Sequence, residues 1–386
     1  MAIAPDFRKT AGQLPLPPPA AEIANPMKTS CFNACRHKLP LLLMTVLAVG
    51  WLPPASAGDR PTVRIENVRR AFHNGEHNAF TDLIRWRDRI WLTFRSSPVG
   101  HQVNAAGSVI ILSSADGQSW RQEHRFSVAE RDTRDPHFLI FNGKLFVYSG
   151  TAHVGKEGKN YTDWNAHLGY ATWTTDGATW AEPRALEGTY GHYIWRVASH
   201  GGKAYLCGRR WREHQPPPGP GEDRTTLESA LLESDDGLRW RFVSLFNHTF
   251  ASETAFRFEP DGRLTSVIRS GVDYCVLATS RPPYREWNRQ KLEGSIGGPM
   301  LASWGGRLVL GGRRTTPDGP RTTLLWLDGA KLTPFAELPS AGDNSYPGFV
   351  ELDDGRGLVS WYSTHEKGTD GKPITAIYLA ELVMEK

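Results

Sequence analysis

From about residue 60 onward, apolar and polar positions alternate in short runs, the period of two that a half-buried strand needs. Phe138-Leu139-Ile140-Phe141 precedes the turn Asn142-Gly143-Lys144, and Leu145-Phe146-Val147-Tyr148 follows it. Comparable turns stand at Arg87-Asp88-Arg89, Gly201-Gly202-Lys203, Asp261-Gly262-Arg263, Gly305-Gly306-Arg307 and Asp354-Gly355-Arg356. Gly, Asn and Asp accept the backbone conformations of tight hairpins, so these segments predict six hairpins with a third strand after each. The last clear strand is Ala376-Ile377-Tyr378-Leu379-Ala380. The early strand Val63-Arg64-Ile65-Glu66-Asn67-Val68 is expected to pair into the same unit, which hides the sheet edges. No stretch beyond residue 60 carries the apolar period of a long amphipathic helix.

A heptapeptide sharpens this picture. Ser114-Ala115-Asp116-Gly117-Gln118-Ser119-Trp120 recurs as Thr174-Thr175-Asp176-Gly177-Ala178-Thr179-Trp180 and as Ser234-Asp235-Asp236-Gly237-Leu238-Arg239-Trp240, with the aspartates 60 residues apart. A fixed period of this size means a repeated supersecondary unit. In a tight turn the hydroxyl and carboxylate fold back onto nearby amides, Gly takes positive φ, and Trp covers the turn. Thr279-Ser280-Arg281-Pro282-Pro283, ending at Trp287, reads as a decayed equivalent. Six hairpins on such a repeat predict an all-β fold, a six-bladed β-propeller with Trp120, Trp180 and Trp240 on its outer rim.

The first 57 residues stand apart. Lys28, Arg36, His37 and Lys38 precede an apolar run from Leu39 to Leu52, and Ala55-Ser56-Ala57 offers small residues for cleavage. This is the pattern of a secretory signal peptide, with Met27 its natural start. Residues 1–57 are therefore expected to be a leader, residues 58–386 a single propeller, and the protein exported, periplasmic or secreted. No Cys follows the apolar run, so no lipid anchor is expected, and nothing points beyond a monomer. Cys207 and Cys275 fall inside predicted strands; export would permit a disulfide between them, but a propeller this large needs no staple, and they read as buried thiols. The formal charge of +4 is spread without basic runs, so nucleic acid is not implied. Metal-ligand spacing is absent and no cofactor is implied. Arg210 to Thr226, rich in Pro and Gly, reads as a surface loop within the third blade.

In a propeller the starts of the inner strands converge near the axis on one face. Those positions hold His77 and Asn78, Arg134 and Asp135, Trp195 and Arg196, Glu253, and Asp343 with Tyr346. Second strands return to the same face and end at Arg95, Arg209, Arg269 and Arg313. Charges gathered near an axis must be desolvated and paired, which stability alone does not explain. They are candidate site residues.

The heptapeptide resembles the Asp-box of the sialidase superfamily, in a form one residue shorter than the commonest. The resemblance extends to the site. Glu253-Thr254-Ala255-Phe256 runs through Asp261-Gly262-Arg263 to Arg269, like the Glu and carboxylate-binding Arg of that family. Arg313 in Gly311-Gly312-Arg313 matches a second such Arg, Asn344-Ser345-Tyr346-Pro347-Gly348 the turn of the nucleophilic Tyr, and Asp135-Pro136 a pocket Asp-Pro. The chain is also similar, over its mature length, to exported bacterial sialidase-like proteins in Arg134-Asp135-Pro136, Gly297-Gly298-Pro299 and Gly342-Asp343-Asn344-Ser345-Tyr346. The resemblance implies Tyr346 as nucleophile, Glu253 as its base, and Arg269 with Arg313 gripping a substrate carboxylate. The chemistry is coherent: a carboxylate on the anomeric carbon repels an anionic nucleophile, whereas a neutral Tyr with a pKa of about 10 can attack if a base stands beside it. Arginine meets a carboxylate with a two-point fork that Lys cannot copy.

Two departures matter. The family's first triad Arg has no counterpart in Asn78-Ala79-Phe80-Thr81-Asp82-Leu83, which leaves Arg134 or Arg196 as substitutes. Arg95 matches another family Arg, but the loop after it, Ser96-Ser97-Pro98-Val99-Gly100-His101, lacks the acid/base Asp and places His101 there. A His with a pKa of about 6.5 can protonate a leaving oxygen near neutrality. His77, His365 and Asp135 are the other proton-donor candidates. Three functions stay open: an exo-acting glycoside hydrolase releasing a terminal sialic acid or related acidic sugar from a glycan, a hydrolase of a different sugar using a carboxylate acid/base pair, and a non-catalytic sugar-binding propeller.

Overall fold

The computed structural model describes residues 61–154, 164–215, 224–270 and 273–385. Their strands form six antiparallel sheets of four strands each, and the only helical segments among them are three single 3-10 turns. The inner strands of blades one to six are His77–Trp86, Arg131–Phe141, Tyr193–His200, Ala251–Phe258, Gly297–Trp304 and Asn344–Glu351. The chain then steps outward, strand by strand, within each of the first five blades. Blade six is built from both ends of the described chain. Val63–Phe72 pairs antiparallel with Pro373–Met384, Val63 opposite Met384, and so closes the ring as the alternation predicts. The leader and signal peptide lie outside the described residues. So do residues 216–223 of the Pro/Gly-rich segment, while Arg210 and Trp211 still belong to the strand Lys203–Trp211.

Each repeated heptapeptide makes the same turn. Asp116 Oδ1 accepts from the amides of Gln118 and Ser119 at 2.8 and 2.9 Å, while Ser114 Oγ accepts from Gly117 N at 2.8 Å. Asp176 with Thr174, and Asp236 with Ser234, repeat those bonds. Gly117, Gly177 and Gly237 supply φ of 71°, 85° and 80°. Two of the tryptophans then seal seams between blades. Trp180 stacks on His124 of blade one at 5.3 Å, and Trp240 meets Tyr148 of blade two edge-on at 5.8 Å.

One polar bracket ties five blades together at the axis. Arg196 of blade three donates to Asp82 of blade one at 2.7 Å, to the Pro347 carbonyl of blade six at 2.8 Å and to the Pro299 carbonyl of blade five at 3.4 Å. Asp82 in turn accepts from the Phe138 amide of blade two at 2.9 Å. A buried guanidinium with its donors satisfied in this way restricts how the blades can pack. Cys207 and Cys275 are free and buried, and burial pushes their thiols up to about 12 and about 11.

Candidate active site

Every inner strand breaks register close to its start. The breaks fall between Ala79 and Asp82, Arg134 and Pro136, Ile194 and Val197, Ala251 and Thr254, Gly297 and Met300, and Ser345 and Gly348. A bulge leaves residues outside the ladder and re-aims their side chains. The residues freed here are Phe80, Asp135, Trp195, Glu253, Gly298 and Tyr346 with their immediate neighbours. Phe80, Asp135, Ser345 and Tyr346 have φ of 65°, 51°, 100° and 52°, conformations that cost non-glycine residues of order 1–3 kcal/mol each. Gly298, with φ of 58°, is needed as glycine for a second reason: an added Cβ would lie 2.7 Å from the Tyr346 ring.

Tyr346 of blade six and Glu253 of blade four meet. The Tyr346 hydroxyl donates to Glu253 Oε1 at 2.9 Å, and Arg269 Nη1 donates to the other oxygen, Oε2, at 2.7 Å. The pair is buried, Tyr346 at 9% and Glu253 at 8% exposure, whereas the Arg269 and Arg313 side chains keep 34% and 27%. Burial raises the Tyr346 phenol well above its usual range, and Glu253 and Asp135 add to the rise, so the resting phenol holds its proton. Burial also pushes the Glu253 carboxyl up, but Arg269, Arg209 and the Tyr346 hydroxyl together outweigh it and hold the group below its ordinary value. A protonated phenol therefore stands against an ionised acceptor. The guanidinium of Arg313 sits 6.0 Å over the Tyr346 ring. Phe80 and Trp195 complete the wall, edge-on to that ring at 5.0 and 5.3 Å.

A second pole lies on Asp343. Its Oδ2 faces His77 Nε2 at 2.9 Å and His101 Nδ1 at 2.7 Å, its Oδ1 accepts from the Tyr362 hydroxyl at 2.8 Å, and Arg313 stands 3.7 Å away. Burial pushes the Asp343 carboxyl up, yet His101, His77 and Tyr362 together hold it well below the usual carboxylate range. Burial lowers His77, so its ring is neutral near pH 7. His101 is half exposed, with its Nδ1 engaged and its far nitrogen not. His77, His101 and Asp343 are also the one cluster of metal-ligand types among the described residues. Ligands bound tetrahedrally to zinc at about 2.0–2.2 Å stand roughly 3.4 Å apart, so two nitrogens at 2.7 and 2.9 Å from one oxygen are spaced as hydrogen-bond partners.

The remaining candidates divide. Asp135 accepts a very short hydrogen bond from the Tyr193 hydroxyl, and burial, with Glu253 and Asp132 nearby, raises its carboxyl to about 7. Arg209 lies 4.9 Å over the Tyr193 ring and donates to Ser252 Oγ at 3.2 Å, which adds a cation on the blade-three side. Arg134 lies 4.9 Å over the Phe80 ring. Arg95 is fully buried, its donors taken by Asp132 and by the carbonyls of Gly100 and Gln102, so it holds a loop and does not face a ligand. Arg196 is likewise committed to the axial bracket, which removes it as a replacement for the absent arginine. His365 bonds Ser363 Oγ at 2.9 Å and packs on Tyr378 at 4.5 Å, away from Asp343. Sequence reasoning missed Phe80, Tyr193, Tyr362, Asp132 and Gly298. Of these only Gly298, inside Gly297-Gly298-Pro299, carried a mark in the sequence.

No family model matches this sequence, and no curated protein does. Solved structures do. A protein of unknown function from Dyadobacter fermentans superposes with a TM-score of 0.69 at 21% identity, over 84% of this chain and 100% of that one. The phage phi92 endosialidase gives 0.59 at 12% identity, over 83% and 69%. Trypanosoma rangeli sialidase, as a covalent intermediate with 2,3-difluorosialic acid, gives 0.57 at 12% identity, over 80% of this chain and 54% of that one. The chain thus spans about half the length of the trypanosomal enzyme. Likeness at such identities is likeness of fold, and the fold is the six-bladed β-propeller that sialidases have.

Proposed function

We propose that this chain is an exported, monomeric, exo-acting glycoside hydrolase that releases a terminal sialic acid or a related acidic sugar from glycans. The observation that carries the reading is the Tyr346 hydroxyl 2.9 Å from Glu253 Oε1, with Arg269 on the other oxygen and Arg313 over the ring. A T. rangeli sialidase of this fold forms a covalent intermediate with 2,3-difluorosialic acid, which supports a nucleophilic route. Arg269 and Arg313 grip the substrate carboxylate beside the anomeric carbon. The Tyr346 oxygen attacks that carbon as its proton passes to Glu253. The glycosidic C–O bond breaks, and His101 donates the proton that the leaving oxygen needs, its charge balanced by Asp343. Water, deprotonated by His101, then attacks the glycosyl-tyrosine, and Glu253 returns the proton to Tyr346. Two displacements at one carbon retain its configuration.

A second reading, hydrolysis of a different sugar by a carboxylate pair, draws on Asp135, whose carboxyl near 7 suits a proton donor. Fluorogenic sialosides, uronides and neutral glycosides, assayed on the mature protein, separate the two. Turnover of sialosides that Tyr346→Phe abolishes supports the first. Turnover of neutral glycosides that survives Tyr346→Phe but not Asp135→Asn supports the second. Sugar binding without turnover of any panel member replaces both with a lectin-like role.

A further inference from the structure

We propose that Asp132 is a positioning residue for His101, acting through Arg95 and Arg134. This rests on the donor role given to His101 above. Residues 98–107 cross from the strand Arg89–Ser97 to the strand Ser108–Ser114 with no ladder of their own. Apart from the His101 ring edge-on to Phe80 at 5.5 Å they have little apolar anchorage: Val99 is 63% exposed and the His101 side chain 52%. What holds them is polar. Arg95 donates to the Gly100 carbonyl at 3.0 Å and the Gln102 carbonyl at 3.1 Å, and Arg134 donates to the His101 carbonyl between them at 3.1 Å. Three successive carbonyls are thus captured by two guanidiniums. Asn104 adds ties within the loop, to Ser97 and to the Gln102 carbonyl.

Both guanidiniums converge on one carboxylate. Asp132 Oδ1 takes Arg95 Nε at 3.0 Å and Nη2 at 2.9 Å, while Oδ2 faces Arg134 Nη1 at 3.3 Å. The side chains of Asp132 and Arg95 are fully buried. The returning leg of the loop packs on this ion pair at Gly107, where an added Cβ would stand 2.3 Å from Asp132 Oδ1 and 3.1 Å from Arg95 Nε. Like-charged Arg95 and Arg134 are held side by side by the anion between them, with Asp135 a second carboxylate 3.8 Å from Arg134 Nε. A buried ion pair is a poor source of stability compared with apolar packing, whereas its directional bonds favour one arrangement. Here that arrangement sets the backbone of His101 from blade two, while Asp343 of blade six takes its ring at 2.7 Å. The proton donor is fixed at both ends.

The experiment compares Asp132→Asn with the wild type on two substrates of one sugar, an aryl glycoside whose leaving group needs little protonation and an alkyl or sugar glycoside that needs it. The kcat/KM ratio, alkyl over aryl, should fall at least tenfold. That quantity reports the first displacement, in which only the alkyl leaving group needs the donor, whereas the water step that also uses His101 is common to both substrates. Amide hydrogen exchange of residues 98–107 should quicken in the same variant. Gly107→Ala, which pushes on the same ion pair, should reproduce both effects and covers the case of an Asp132→Asn protein that does not fold. An equal loss of kcat/KM on both substrates, or quickened exchange with an unchanged kcat/KM ratio, would reduce Asp132 to a structural role and overturn the proposal. If the wild type turns over neither substrate, the proposed reaction fails by itself. Hydrogen exchange then decides the clamp: unchanged protection of 98–107 in Asp132→Asn and Gly107→Ala overturns it.

Discussion

Tyr346→Phe removes one oxygen from the most crowded point of the pocket, and the structure separates what that does to folding from what it does to chemistry. The hydroxyl makes one hydrogen bond, to Glu253 at 2.9 Å. A bond to a charged group is worth about 1.5–3 kcal/mol. Glu253 keeps Arg269 at 2.7 Å, and the ring keeps Phe80, Trp195 and Tyr362 at 5.0, 5.3 and 5.8 Å, so the low end of that range applies. At no more than about 2–4 °C per kcal/mol, the figure for domains somewhat smaller than this one, thermal unfolding should shift down by at most about 3–6 °C. Turnover should behave differently. Without a nucleophile the covalent route closes, and a loss of at least about 10³-fold, some 4 kcal/mol of barrier, is expected. Glu253→Gln should cost about 10²–10⁴-fold, as loss of a general base does. The double variant should be barely worse than Tyr346→Phe, because residues that act as a unit are not additive. Initial rates on a fluorogenic sialoside, read beside thermal unfolding of the same preparations, measure both effects. Tyr346→Phe within tenfold of wild-type turnover, with the small thermal shift present, would refute the assignment of Tyr346 as nucleophile.

Arg269→Lys should raise KM for acidic substrates by at least tenfold and leave neutral ones unchanged, since one ammonium cannot make the two-point contact; a uniform effect on both would show that Arg269 serves Glu253 alone. His101→Asp should move the basic limb of the kcat profile to lower pH, because a carboxylic acid is a stronger acid than an imidazolium, and an unmoved limb in His101→Ala would take His101 out of the mechanism. Asp343, held below its ordinary range in the folded state, stabilises above an unfolded pKa of about 3.9, and that stability is lost as pH falls through the lower folded value. Asp343→Asn should therefore flatten the dependence of stability on pH below about 4, measured by denaturation at pH 7 and pH 3; a slope equal to wild type would show that its partners do not hold it. Export predicts a mature N-terminus at Gly58 or a neighbour, read by N-terminal sequencing, and an intact Met1 or Met27 would contradict it.

Short-range patterns decided much of this protein. Alternation, Asn-Gly and Asp-Gly turns and the 60-residue period are local consequences of strand and turn chemistry, so six blades were legible from the chain, down to the pairing of Val63–Phe72 with Pro373–Met384. Tyr346 and Glu253 were legible as candidates at strand starts, which converge in any propeller, and their pairing across a separation of 93 residues was what the family resemblance implied. What only the tertiary structure decided is which charges are spent. Arg95, Arg134, Arg196, Arg269 and Arg313 look alike along the sequence, yet Arg196 brackets the axis, Arg95 holds a loop, and Arg269 and Arg313 keep partial exposure beside Tyr346. Whether an arginine can meet a ligand depends on the carboxylates and carbonyls that other blades bring to it, and these lie outside any local window. The six bulges were hidden for the same reason. A period-two reading assumes an unbroken ladder, whereas the φ of 65° at Phe80 or 52° at Tyr346 is imposed by packing around the axis and is written in no single residue.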